Sequence, residues 1–293
     1  DYLKLHFIVF LWGFSAILGK LITIPAIEMV WYRAIFSALG MGAVIYFTRG
    51  SFKVGTSDLF KLLAIGGIVA IHWIAFFGSA RVSNVSVSLV GFATNSLWTA
   101  LLEPWFNRTR IKKYELLLGL VVITGLYIIF SFDFHYKLGL LLGVFAGFTS
   151  AFFSVFNSRM VQRNSARAIT FYEMIGVAIA TSLILPFVGE FGIEITMPLI
   201  PSAMDLLYIA ILAGVCSVYA YAVAVELMKR ISVFMIQLTL NLEPVYGILM
   251  AVIIFGQQEK MNLNFYIGTL LILSAVLIYP VIRKRFDRTL LID

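Results

Sequence analysis

A carboxylate buried in an apolar run is the first feature of this chain that calls for a chemical role. Glu243 stands about 12 residues into an apolar stretch from about 231 to 254, with Pro244 next to it. At about 1.5 Å of rise per residue, the carboxyl falls near the middle of a helix able to cross a bilayer. An ionised group at that depth costs roughly 2.5 to 3.5 kcal/mol on insertion scales, so residues of this kind mark substrate or ion pathways. Pro244 lacks an N–H and would free a backbone carbonyl for a ligand or cation. The competing reading is a neutral or paired carboxyl that locks this helix to its neighbours, with Pro244 as a kink.

Other polar residues recur at comparable depth. Gln237 and Asn241 are spaced i, i+4 on the same stretch, and Gly91, Asn95 and Thr99 form a similar stripe on an earlier one, with Trp98 beside it. Such stripes must face protein or water, because lipid offers no hydrogen bond, and they are read as cavity lining rather than packing alone. His72 lies mid-stretch with Trp73 next to it and Phe76 and Phe77 one turn on. That set is either a neutral histidine bonded across helices or a ligand and proton site beside an aromatic surface. Trp12, Tyr219 and Tyr221 add amphipathic rings at central depth. His6 and His135 flank helix ends and look incidental.

A second group of charges sits nearer the ends of the stretches and is read as gates. Lys20, Glu28 and Arg33 form the set expected on the outer side, and Arg159 with Glu173 the set expected on the inner side.

The elements that position these residues follow from hydropathy. The chain of 293 residues is 61% hydrophobic and 13% charged, with mean hydropathy +0.98, far from the roughly quarter-charged norm of soluble proteins. Ten apolar stretches run at about 5–22, 26–48, 59–80, 84–103, 114–131, 138–160, 169–189, 205–228, 231–254 and 262–282, each near the length a spanning helix needs. With the N-terminus inside, alternate gaps on the cytoplasmic side collect 17 of the 22 basic residues. Arg81, Lys137 and Lys260 fall on the other side, and Lys20 and Arg33 within helices or at their ends. Positive residues favour the cytoplasm, so both termini are expected there. The first stretch is read as a retained helix, since no A-x-A-like cleavage site follows it.

The stretches divide near residues 133–137 into five and five, giving halves 1–132 and 133–293. An odd number of crossings per half makes the second copy inverted. The segment from Gly119 to Ile129 aligns with that from Gly268 to Ile278, and Trp31, Tyr32 and Arg33 align with Phe171, Tyr172 and Glu173. Leu102-Glu103-Pro104 repeats as Leu242-Glu243-Pro244, but Glu103 precedes its glycine anchor by 16 residues (103 to 119) and Glu243 by 25 (243 to 268). That match is out of register; the in-register partners of Glu243 and Pro244 lie at about Asn95 and Ser96. Inverted repeats place a binding site at the midplane between the halves.

The ten helices in two inverted repeats, Trp12-Gly13 in the first helix, Arg33 in the second and Leu242-Glu243-Pro244 in the ninth resemble EamA-type members of the drug/metabolite transporter superfamily. The resemblance covers essentially the whole chain. It implies an all-α membrane protein that exports or exchanges small metabolites, amino acids among them, by alternating access through a central cavity in the cell (inner) membrane.

Other functions find less support. The net charge of +7 is a topology signal and an attraction to lipid head groups, not a nucleic-acid footprint. Cys216 is the sole cysteine, so no intrachain disulfide or thiolate metal cluster forms. No Walker loop, HExxH, paired CxxC or G-x-S-x-G elbow occurs, so no enzyme and no cofactor is expected. An intramembrane lipid-acting enzyme would need clustered carboxylates or histidines, and a sensor or scaffold a larger exposed loop than the one from about Arg49 to Asp58. The expected partners are a small-molecule substrate and the bilayer, with protons as a candidate coupling ion through Glu243 and His72. The row Gly139, Gly143, Gly147, Ser150, Ser154 and Ser158 is read as a surface for close packing or sliding, with a homodimer contact as the second reading. A monomer or weak dimer is expected.

Overall fold

The computed structural model describes residues 1–130, 136–187, 200–259 and 261–289, and these hold helices and no strand. Most of the expected boundary between halves, together with His135 and Lys260, lies outside the described residues. Among the described residues, eight stretches are long and apolar enough to cross a bilayer. They comprise α1 (Tyr2–Leu21), α2 (Ala26–Phe47), α3 (Thr56–Val82), the pair α4 (Val85–Phe92) and α5 (Asn95–Asn107), α7 (Lys137–Met160), α8 (Ala166–Ile184), the pair α9 (Ala203–Ile211) and α10 (Ala222–Leu227), and the pair α11 (Val233–Leu240) and α12 (Glu243–Phe255). Two further apolar helices, α6 (Lys113–Phe130) and α13 (Leu263–Thr289), pack on each other, with Gly125 close to the Gly268 carbonyl.

Three of the expected continuous helices are interrupted. The fourth stretch breaks at Ala93 and Thr94, between α4 and α5, and the ninth at Asn241 and Leu242, between α11 and α12. The eighth winds as a π-helix over Leu212–Tyr221, a form that is rare and concentrates at functional sites. The two breaks are pseudo-symmetric. Asn84 caps α4 by accepting from Val87 N, and Ser232 caps α11 by accepting from Met235 N. Asn95 and Glu243 then each open the half-helix beyond the break. Pro244 therefore stands in the first turn of α12, where a missing N–H has no helical partner to lose. It is not the mid-helix kink of the competing reading. Pro104, by contrast, lies inside α5, so the two Glu-Pro pairs occupy different structural positions.

Cross-links at the two ends of the bundle fit an alternating up-and-down arrangement. At the end bearing Asp1, Arg230 pairs with Asp1 at 3.5 Å, Asn164 and Arg163 meet Asp58, and Arg167 donates to Thr48. At the opposite end, Asp205 accepts from the N–H and hydroxyl of Thr23, both at 2.8 Å, and Ser79 donates to Gly139 O.

Small residues let the interior helices approach closely, which is what drives helix association where lipid supplies no hydrophobic incentive. The α7 row packs within the chain: Gly139 lies against Ser83, Gly143 against Gly91, and Gly147 against Thr94 at the α4–α5 break. Gly66 of α3 faces Gly176 of α8 backbone to backbone, so that a Cβ at Gly66 would stand 2.3 Å from Glu173 O. The neighbouring Gly67 has room, with Ala180 Cβ at 3.9 Å. Gly66→Val is expected to lower stability by about 1–3 kcal/mol or more through forced helix separation, and Gly67→Ala to leave it nearly unchanged. Thermal unfolding in detergent measures both, and equal midpoints for the two variants would contradict the close α3–α8 contact.

Candidate functional site

Between the halves lies a cavity of about 700 Å3 of unfilled space, its mouth included. Its wall draws on α1, α2, α3 and α4 from the first half and on α7, the π segment, α10, α11 and α12 from the second. The lining is mainly apolar and aromatic, with a few polar groups, as is usual for a small-molecule site. The wall extends from Arg33 and Phe77, on the side of the end opposite Asp1, to Met228 at the α10–α11 connection.

A guanidinium and a carboxyl line this space. Arg33 is 3% exposed; its Nε donates to Ser217 Oγ at 2.9 Å, and its guanidinium lies 3.8 Å from the Trp73 ring centroid. Stacking of this kind offsets part of the cost of burying a cation, by about 2 kcal/mol when desolvated. Among the described residues no carboxylate lies within ion-pair distance of Arg33. Glu243 is equally buried, and its carboxyl takes no hydrogen bond or ion pair from the described residues. The two groups share one cavity without neutralising each other.

The polar groups around them are fixed. Trp12 Nε1 donates to Cys216 O at 3.0 Å, tying α1 to the π segment. His72 Nδ1 stands 2.8 Å from Ala146 O, which can only accept, so Nδ1 carries the hydrogen. The imidazole sits among Phe76, Phe92 and Phe153. Gln237 reaches from α11 to Ser154 Oγ on α7 at 2.6 Å. Tyr221 Oη donates to Glu173 Oε2 at 2.8 Å, and Asn157 Nδ2 bonds both.

Of the residues expected in a cavity, the structure brings together Glu243, His72, Trp73, Trp12, Gln237 and Tyr221. Four are placed elsewhere. Asn241 donates to Ser96 Oγ at 2.7 Å, pinning the two helix breaks to each other. Asn95 is fully buried at its break, and neither of its amide atoms has a partner. Trp98 bonds Thr94 and packs edge-on against Phe148. Tyr219 is 45% exposed and meets Phe7 at the bundle surface; Tyr221, two residues on, takes the inward direction.

The expected gates are regrouped. Arg33 belongs to the cavity and not to a set with Lys20 and Glu28. Lys20 donates to Ala80 O, and the nearest cation facing Glu28 is Arg81, which also donates to Ile22 O. Arg159 and Glu173 do not pair: Arg159 turns to Phe106 O and Asn107 Oδ1 on α5, whereas Glu173 is buried with Tyr221 and Asn157. Arg159 stands at the end of α7 and points out of the bundle, so closeness in the chain does not bring it to α8.

The sequence reading missed Ser217, Asn157, Arg81 and Asp205. Asn157 lies three residues beyond Ser154 on one helical face and was open to detection by that spacing. Nothing in the composition around Ser217 marks it as the partner of Arg33.

The EamA-like transporter family profile matches residues 2–131 and again 137–279. No curated protein sequence matches the chain. A solved structure described only as the crystal structure of a protein superimposes with TM-score 0.70 at 13% identity, covering 97% of this chain and 96% of that one, and at that identity it shows the fold alone. Two consecutive matches account for both halves, and the chain belongs to the EamA-like transporter family of the drug/metabolite transporter superfamily, a multi-pass membrane transporter of two-repeat architecture.

Proposed function

We propose that the chain carries small zwitterions, amino acids foremost, across the cell (inner) membrane by alternating access. In this reading ten spanning helices form two inverted five-helix repeats, both termini are cytoplasmic, and the protein works as an exporter or exchanger. The observation that supports it is the placing of Arg33 and Glu243 in one aromatic-lined cavity, a guanidinium and a carboxyl that are not paired with each other. An amino acid carries the complementary pair, its carboxylate for the guanidinium and its ammonium for the carboxyl. The apolar wall around Phe76, Phe92 and Phe153 suits a large apolar side chain.

Polar ties close the end opposite Asp1: Lys20 to Ala80, Arg81 to Ile22 and Asp205 to Thr23.

Solute counterflow in proteoliposomes preloaded with an amino-acid mixture tests the reading. Saturable uptake of a few apolar amino acids is expected in the wild type. Each of Arg33→Gln and Glu243→Gln removes one charge-assisted contact of about 1.5–3 kcal/mol, raising half-saturation by about tenfold or more. Arg33→Lys keeps the charge but loses the planar stack on Trp73 and should recover only part of the affinity. Uptake indifferent to both charges would discard the site while keeping the transporter. Orientation is checked separately in a Cys216→Ala chain: Gln162→Cys should react with impermeant thiol reagents only from the cytoplasmic side and Ser202→Cys only from outside.

A further inference from the structure

We propose that Glu173 is the site of a coupling proton, and that Tyr221 determines when that proton exchanges with water. The inference deepens the transport reading above and rests on it for cargo.

Glu173 has no exposed surface, and its two carboxyl oxygens differ. Oε2 accepts from Tyr221 Oη at 2.8 Å and Asn157 Nδ2 at 3.3 Å. Oε1 has no partner. The elements packed on α8 are α2, α3, α10 and the π segment, with α7 reaching it through Asn157. Among the titratable groups these bring inward, only Tyr221 meets Glu173. Arg33 of α2 is engaged with Trp73 and Ser217, and His72 of α3 with Ala146 O. Asp58 and Lys61 of α3 pair with each other at the chain-terminal end. No cation among the described residues compensates Glu173.

An ionised carboxylate without a counter-charge is far costlier to bury than a neutral acid. In this conformation the acid is therefore neutral, its proton on the unpartnered Oε1. Release breaks that O–H bond, passes the proton to water and leaves a carboxylate, so it requires water to reach the group. Tyr221 stands between Glu173 and the cavity, its side chain in the cavity wall and its hydroxyl on Oε2.

Tyr221 is the last residue of the π segment, and Ser217 of the same segment holds Arg33. A π turn holds one residue more than an α turn, and its relaxation rotates the residues beyond it by about 100°. Cargo that draws Arg33 away from Ser217 frees the segment whose far end covers Glu173. Cargo and proton are thereby linked through one irregular turn.

Two measurements test the proposal independently of each other. Infrared difference spectra of the purified protein across a pH titration should show a carboxylic-acid carbonyl band that Glu173→Gln removes and Tyr221→Phe moves to a different pH midpoint. This arm needs no cargo. The absence of a band assignable to Glu173 overturns the proposal, and Tyr221→Phe carries the arm if Glu173→Gln does not fold. In proteoliposomes, a gradient of one pH unit should drive about tenfold accumulation of the cargo for one proton per molecule, and Glu173→Gln should abolish accumulation while retaining counterflow. Accumulation that persists in Glu173→Gln, or that follows a sodium gradient and ignores pH, overturns the proposal. If no amino acid shows counterflow in the wild type, the cargo reading fails while the infrared arm still decides the fate of Glu173.

Discussion

Two helices stop near the centre of the bundle, and the rest of the structure is arranged around the place where they cross. A backbone break in the hydrocarbon region is tolerated only where protein or a water-filled cavity surrounds it. Here α4 gives way to α5 and α11 to α12, and Asn241 from one break donates to Ser96 of the other. The glycines of α7 and α1 close around this crossing: Gly147 meets Thr94, Gly143 meets Gly91, and Gly13 lies against Glu243 O. Any larger side chain at these positions would push a neighbouring helix away from the breaks. The crossing also orients Glu243, which opens α12 with its carboxyl in the cavity near the positive end of the half-helix dipole.

Hydropathy made the spanning stretches legible, because water-free backbone must be helical and helices of that length must be apolar. It did not show the breaks. Val85 to Asn107 and Val233 to Gln258 each read as one apolar run, since a two-residue interruption satisfied by neighbouring protein changes no average. The repeat did better: counting back from the glycine anchors set Glu243 against the chain at about Asn95, within a residue of the strict count, and Asn95 and Glu243 are the residues that open the two half-helices. The place of Pro244 in a first turn went unseen for the same reason. Its meaning depends on where the helix begins, and the break that sets this is invisible in composition. The π segment is equally silent, being made of the same residue types as an α-helix.

Depth was readable for the charged residues, but direction was not. A helix that is apolar nearly all round carries no stripe to say which face turns inward, so Arg33 could be placed beneath the surface without revealing Trp73 and Ser217 as its partners. Tyr219 and Tyr221 show the limit most clearly. Two residues apart at equal depth, one faces the bundle surface and the other the cavity. Residues tied by sequence spacing alone, such as Arg159 and Glu173, were separated by the turn between α7 and α8.

The separation of Arg33 from Glu243 is the feature that makes the cavity suited to a charged guest. In a medium of low dielectric, opposite charges that can meet will do so, and the pair would then exclude a third ion. Each is prevented by its own anchorage. Trp73 and Ser217 hold the guanidinium from α3 and the π segment, while Glu243 is fixed in the first turn of α12 by the close approach of Gly13. Arg33 itself belongs to a helix of the first half and Glu243 to a helix of the second. On the proposed reading, a zwitterion bridging them sets its carboxylate on the guanidinium and its ammonium on the Glu243 carboxyl, and draws the halves together. The energy of satisfying both groups then favours the compact state over the empty one. The empty cavity leaves the guanidinium without a counter-ion and the carboxyl without a partner, so occupancy rather than a separate latch would decide when the halves move.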